Sequence, residues 1–420
     1  MINDNLTVPR LLMITPNVLL PLDMASKVRI LNILKAATAQ FDVTFLTRCD
    51  SNDKSANEEF LRSIGIHNII LLPSRNGNNS AAKYLYGGLS ILAKYLLGLP
   101  SQLFYSGLIN LTPGRIADSL QGNDFDVVLF EFWFSSPSIN YFKKMGLPCV
   151  LDMHDIIWKK LVTAGRFHSW NRSNYNHDGV LARRYRKFEE ASWQHFDHFI
   201  AINHEEALYV REKMNPDASM ITAGTGVDLD EWPYCWSPAN PPRIVFYGAL
   251  RGKENEMAAL RSATKIMPPV WSQRPDAQLW LVGSNPTDKL LSLQTNPRIK
   301  VTGFVDDVQA VLSKATAMLC PLQGRYGFRT RLIEAMALGV PLVITSDACF
   351  GMGLEAGKGI TVHDNDDATA DAIIAFLNSP EKAQNQSILA RKQVEEKFSF
   401  EETYGKIVSY LHSVIKSKNQ

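Results

Sequence analysis

Residues 329–344 read RTRLIEAMALGVPLVI. Leu332, Ile333, Met336 and Leu338 recur at helical spacing, Gly339 supplies a stop, and Pro341 opens a short apolar run that reads as a buried strand. A helix delivered directly into such a strand belongs to a parallel sheet covered on both faces. The start of this helix is anomalous, because Arg329 and Arg331 stand at the end that carries partial positive charge. Each costs from a few tenths to about 1 kcal/mol there, unless an anion lies between the guanidinium groups and the open backbone amides. The stretch therefore predicts an α/β fold and an anion at one helix end.

The same rhythm runs outward in both directions. Upstream, VPRLLMIT (8–15), DVTFLTR (42–48), DVVLFEF (126–132), PCVLDMHD (148–155) and HFIAIN (198–203) read as strands with helical spacers between them. The pattern breaks at GTGVDLDEWPYCWSPANPP, residues 224–242, which is rich in glycine, proline and tryptophan, and is read as a hinge. It restarts with RIVFYGA, AQLWLVG, IKVTGF, AMLCPL and PLVITS. The expectation is a Rossmann-like domain over residues 1–235 and a second over 240–397. An amphipathic helix at 398–415, with Phe400, Tyr404, Ile407, Tyr410 and Leu411 on one side, is able to pack back on either. Ligands of open parallel sheets lie outside the carboxyl ends of the strands, so chemistry is expected where two such sheets face a common cleft.

Bulk properties agree with this division. A chain of 420 residues exceeds the roughly 250 to 300 at which single cores stop growing. A net charge of +2 gives no global drive toward nucleic acid, so an anion site must be local. The five cysteines are odd in number, widely spaced and free of any CxxC pair, which fits a reducing cytoplasm. LLMITPNVLLPL lacks a basic leader and a small-residue cleavage site, and reads as a first core strand. The apolar segment 84–100 is interrupted by Lys94 and two glycines and is short of a membrane span; it is a candidate for contact with a membrane surface from the cytoplasmic side.

GFRTRLIEAMALGVPLVIT resembles family 4 of the retaining glycosyltransferases, which have the GT-B fold. GFVDDVQAVLSKATAMLCPLQ and FYGALRGKENEMAAL carry the likeness upstream, and LDMHDIIWKKL, RRYRKFEEASWQHFDHFIAIN and GTGVDLDEW extend it over nearly the whole chain. The resemblance implies transfer of a sugar from a nucleotide diphosphate donor to a glycan, lipid-linked or small-molecule acceptor, with retention of configuration and no metal or other cofactor. It implies that the helix start of Gly327, Phe328, Arg329 and Arg331 faces the donor diphosphate, and that Glu334 holds the ribose hydroxyls. Amides and guanidinium groups acting on one phosphate make a strong site. Read without the family, Glu334 is a first-turn carboxylate suited to the dipole or to pairing with Arg331 at i,i+3.

By the same resemblance, Arg251 and Lys253 neutralise the leaving diphosphate, whose developing charge fixed cations stabilise without metal. Phe304 and Val305 border the base through their backbones. His154 contacts the transferred sugar or a phosphate, with Asp155 orienting its loop. Ser26 and Lys27 stand where the family has a glycine-containing loop near donor and acceptor, and Ser26 is placed to cap the following helix. The sequence departs from the family at Tyr326, where many members have a glutamate that contacts the donor sugar. That departure motivates one alternative, a catalytically silent binding or scaffold protein; a nucleotide-sugar epimerase of the same fold is another. The pairs Asp124/Asp126, Asp228/Asp230 and Asp364/Asp366 read as turn residues, not metal ligands. The run RRYRK reads as a solvated helix face, since Glu189 and Glu190 follow it.

Overall fold

The computed structural model describes residues 8–75, 80–97, 99–165, 180–325 and 327–418. The chain divides into two compact units, Met1–Ala223 joined by Tyr404–Gln420, and Gly224–Thr403.

The first unit holds seven parallel strands: β1 (Arg10–Thr15), β2 (Asp42–Cys49), β3 (Asn68–Pro73), β4 (Val127–Glu131), β5 (Cys149–Asp152), β6 (His198–Ala201) and β7 (Ser219–Thr222), in the order β3-β2-β1-β4-β5-β6-β7. The central strands are buried on both faces, as their near-continuous apolar runs require. The order reverses between β1 and β4, whose register pairs Leu11 with Val127. Glu131 and Asp152 close β4 and β5 side by side in register.

The second unit repeats the plan with β8 (Arg243–Tyr247), β9 (Gln278–Val282), β10 (Ile299–Gly303), β11 (Ala317–Cys320), β12 (Leu342–Ile344) and β13 (Ile360–Val362), in the order β10-β9-β8-β11-β12-β13. Its reversal lies between β8 and β11. The quoted stretch becomes the helix Thr330–Ala337, with Leu332, Ile333, Ala335, Met336 and Ala337 buried, followed by β12. Gly339 stops the helix at φ 89°, where an added Cβ would stand 2.4 Å from the Tyr234 ring.

Both segments flanking the unit boundary differ in detail from the sequence reading. Residues 224–242 are bonded along the second unit: Val227 N donates to Phe398 O, Cys235 N to Leu338 O, and Trp236 Nε1 to Ala315 O. The amphipathic segment 398–415 divides. Phe398 lies in the second core, whereas Tyr404, Ile407 and Leu411 are buried in the first unit, where Tyr404 Oη accepts from Asn32 Nδ2 and His412 stacks on Phe41 at 4.4 Å.

Candidate active site

In the second unit, both arginines of the quoted stretch are turned onto main-chain carbonyls at the carboxyl ends of β8 and β11. Arg331 Nη1 donates to Tyr247 O at 3.0 Å, and its Nη2 donates to Asn255 Oδ1 at 2.9 Å. Arg329 Nη2 donates to Gly324 O at 2.7 Å. These carbonyls offset part of the cost of cations at a helix start. Arg331 approaches so closely that a Cβ on Gly248, whose φ is 156°, would stand 1.7 Å from Nη1 and displace the guanidinium.

The helix Thr330–Ala337 begins at Arg329 with no side-chain cap. Of its first amides, Leu332 N donates to Arg329 O at 3.0 Å, whereas those of Thr330 and Arg331 have no intrahelical acceptor. Thr330 Oγ1 beside them is buried without a hydrogen-bond partner. One turn on, Glu334 is partly buried, and its carboxylate makes no hydrogen bond or ion pair among the described residues. The pairing with Arg331 that spacing allows does not form, because Arg331 is committed to Tyr247 and Asn255. Burial pushes the Glu334 carboxyl up to about 7, against the pull of the Arg331 charge.

In the same unit, Arg251 is exposed in the loop after β8 with no side-chain bond among the described residues, and Lys253 Nζ pairs with Glu256 Oε2 at 3.1 Å. Phe304, 74% exposed, and Val305 follow β10. Gly327 has φ 67°, and Phe328 packs on the core. Tyr326 lies outside the described residues.

In the first unit, β5 ends at Asp152, earlier than the sequence run suggested, and His154 follows in a tight turn. Asp155 N donates to Met153 O at 2.8 Å across His154, whose φ is 58°. A three-residue turn with positive φ at its centre is strained, and such strain gathers at functional sites. Phe132, after β4, also has positive φ, 64°, and its ring stacks on the imidazole at 3.9 Å. His154 Nε2 lies 2.6 Å from Glu131 Oε2. Arg29, from the helix Ala25–Thr38, donates through Nε and Nη2 to the two oxygens of Asp152, at 2.8 and 2.9 Å.

The loop that carries His154 is gripped from behind by two buried carboxylates. Ile157 N and Trp158 N donate to Glu189 at 2.9 Å each, and Ile156 N donates to Glu206 Oε2 at 2.9 Å. Burial pushes both carboxyls up to about 8, while these amides pull them down. Glu189 is thus fully buried, which corrects the reading of its helix, Val180–Trp193, as a plain solvated face. Asp155 accepts from Lys160 Nζ at 3.1 Å. Ser26 does not cap its helix: Met24 is the N-cap residue, without a side-chain bond, and Ser26 lies inside the first turn. Lys27 Nζ is held by Pro21 O at 2.8 Å and by Asp23 at 2.9 Å.

Sequence reasoning missed Arg29, Glu131 and Asp152. The available signal was an acidic residue ending each of two apolar strands, in FEF and LDM. Glu131, Asp152 and His154 bring ligand-capable atoms within 4.8 Å of one another. Arg29 already occupies both Asp152 oxygens and supplies the local positive charge, so the set offers a metal ion no open carboxylate pair. The Asp-x-Asp residues are engaged structurally: Asp126 accepts from Arg10 N, Asp228 from Asp230 N, Asp364 from Ser346, and Asp366 from Arg261.

The family described as Glycosyl transferases group 1 matches residues 241–379. Among curated relatives, a phosphatidyl-myo-inositol mannosyltransferase of Mycobacterium leprae is 30% identical over 43% of this chain and 50% of its own length. A GDP-mannose-dependent monoacylated alpha-(1-6)-phosphatidylinositol monomannoside mannosyltransferase of Corynebacterium glutamicum is 27% identical over 36% of this chain and 43% of its own. The matches thus span about half the length of these relatives. Among solved structures, Anabaena HepE in complex with UDP superposes with TM-score 0.63 at 12% identity, covering 96% of this chain and all of that one (100%). Sucrose-phosphate synthase from Thermosynechococcus elongatus superposes with TM-score 0.64 at 15% identity, covering 97% and 100%. At such identities the likeness shows the fold, two Rossmann-like units of the GT-B class.

Proposed function

We propose, from the match of residues 241–379 to the family described as Glycosyl transferases group 1, that the chain transfers a sugar from a nucleotide diphosphate donor to an acceptor hydroxyl with retention of configuration. The observation that carries the reading is Glu334: a partly buried carboxylate with no partner among the described residues, one turn from an uncapped helix start flanked by two anchored arginines. A nucleoside diphosphate satisfies all three features at once, with ribose hydroxyls on Glu334 and phosphate oxygens on the amides and guanidinium groups.

The chemistry follows from that placement. The bond from the anomeric carbon to the diphosphate breaks, the acceptor oxygen bonds to that carbon, and the acceptor proton passes to a phosphate oxygen. Arg329 and Arg331, with Arg251 and Lys253, stabilise the leaving diphosphate by fixed charge, and no metal is assigned a role. Solved structures of similar fold hold UDP or UDP-glucose, and one relative is named for GDP-mannose. A thermal-shift screen against UDP, GDP and ADP is therefore expected to show stabilisation by one of them, about 2.7 kcal/mol at 100 times its Kd. No shift with any nucleotide leaves the silent scaffold as the better reading.

For the acceptor, we assign a lipid-linked molecule reached from a membrane surface. Two relatives are named for phosphatidylinositol substrates. In the first unit, the segments Ser80–Leu92 and Ala93–Leu97 expose Tyr84, Leu85, Ile91, Leu92, Leu96 and Leu97. Contiguous exposed apolar side chains of this kind mark an interaction surface. No helix among the described residues is long and apolar enough to cross a membrane. Leu96→Asp with Leu97→Asp is expected to lower co-sedimentation with anionic vesicles about tenfold or more, since each buried leucine contributes about 1.5–3 kcal/mol. Unchanged vesicle binding removes this surface from the proposal.

A further inference from the structure

The carboxyl ends of β4 and β5 bury four ionisable groups: Arg29 at 1% exposure, Glu131 and Asp152 at 0%, and His154 at 3%. Their pairings are unequal. Asp152 is bound by Arg29 through both oxygens. Glu131, its neighbour in register, lies 2.6 Å from His154 Nε2 and against the Asp152 carboxyl, and its Oε1 is buried without a hydrogen-bond partner. The imidazole meets Glu131 from β4 and Asp152 Oδ2 at 3.7 Å from β5, with Arg29 and Tyr404 behind Asp152. Phe132 covers one ring face. Nδ1 has no partner among the described residues.

Which ring nitrogen of a histidine carries the proton is set by the bond that the other makes. Here the bond to Glu131 is short, charge-assisted and shielded from water, and Asp152 is too distant and too committed to compete. We propose that Glu131 is the positioning residue of a Glu131–His154 dyad: its carboxylate accepts Nε2–H, fixes that tautomer, and leaves Nδ1 to accept a hydrogen bond from a hydroxyl of a substrate bound at this unit.

This rests on the transferase reading above. The strained turn at His154 fits the assignment, since it aims the ring into β4 and not along its own strand. Burial, with the nearby Asp152 charge, pushes the Glu131 carboxyl up to about 7, against the pull of His154 and Arg29. The Glu131 carboxyl therefore takes up a proton near neutrality, and Nε2–H then loses the charged acceptor that fixes the tautomer. Transfer is accordingly expected to fall as pH drops through about 7.

The test uses the full chain labelled with 15N-histidine, with the His154 signals assigned by their loss in His154→Gln. At about pH 8 the wild type is expected to show Nε2 protonated and Nδ1 bare. Glu131→Gln, whose neutral amide no longer offers Nε2–H a charged acceptor, is expected to let the proton redistribute toward Nδ1. It should lower kcat roughly 100-fold or more while donor KM changes less than about threefold, and it should flatten the acidic limb of the pH profile. A protonated Nδ1 in the wild type at pH 8 overturns the proposal whether or not the variant folds. So does a Glu131→Gln enzyme with undiminished kcat. If the wild type neither binds nucleotide nor turns over, the transferase reading fails, and the ring-nitrogen spectrum still decides the dyad.

Discussion

Arg29→Ala is expected to destabilise the protein by about 3–5 kcal/mol, the usual cost of removing one partner from a buried ion pair. For a unit of this size, that is a fall of roughly 6–20 °C in Tm. The size of the effect follows from what is left behind. Asp152 and Glu131 end adjacent strands in register, and without the guanidinium two carboxylates share one dry site. The pH dependence distinguishes this from simple loss of packing. Burial alone would raise Asp152, but the Arg29 guanidinium, by its charge and its hydrogen bonds, holds it below the usual carboxylate range. Its stabilising contribution is therefore present above the unfolded value and is lost only as pH falls through the lower folded one. In Arg29→Ala the unpaired Asp152 is free to protonate, so the deficit should shrink between about pH 7 and pH 4 by calorimetry. An equal deficit at both would point to packing.

Glu334→Ala is expected to weaken the stabilising nucleotide by about 3 kcal/mol, roughly 100-fold or more in Kd, because two hydroxyl hydrogen bonds to a charged acceptor are lost. Isothermal titration reads this directly, and an unchanged Kd removes Glu334 from the site. A second outcome has the opposite sign. Burial raises the folded Glu334 carboxyl to about 7, from an ordinary 4.5. A raised carboxyl binds more protons folded than unfolded, so it costs stability as pH rises through that window, and the cost is complete above it. Glu334→Gln should therefore raise Tm at about pH 8 and leave it unchanged near pH 4.5. Binding and stability would trade against each other at one atom pair.

The layered parallel architecture was legible because buried central strands are apolar throughout and easily seen. The strands overlooked, β3 and β7, are the edge strands of their sheet. Edge strands are half-exposed and short, so their apolar signature is diluted. At the second-unit site, the helix start, its two arginines and Glu334 were all visible in one stretch, since a local cost to a helix is a local signal. What could not be read was where the arginines point. Their acceptors, Tyr247, Asn255 and Gly324, are set by sheet order. The first-unit cluster was harder still. Arg29 and Asp152 meet across 123 residues, and a histidine in a motif announces itself while the glutamate that orients it does not.

The second unit lies wholly between Ala223 and Tyr404 of the first. In genetic terms it is an insertion, and that decides how the molecule can be cut. Residues 224–403 form one uninterrupted fragment, suited to isolated expression and to nucleotide titration. A fragment that stops at residue 223 would discard the helix Lys406–Lys418 and uncover the places where Ile407, Val408, Leu411 and Val414 are buried. The first unit is therefore obtainable only by excision, with residue 223 rejoined to 404 through a short loop. Termination of synthesis anywhere before residue 406 would leave its sheet without its closing helix.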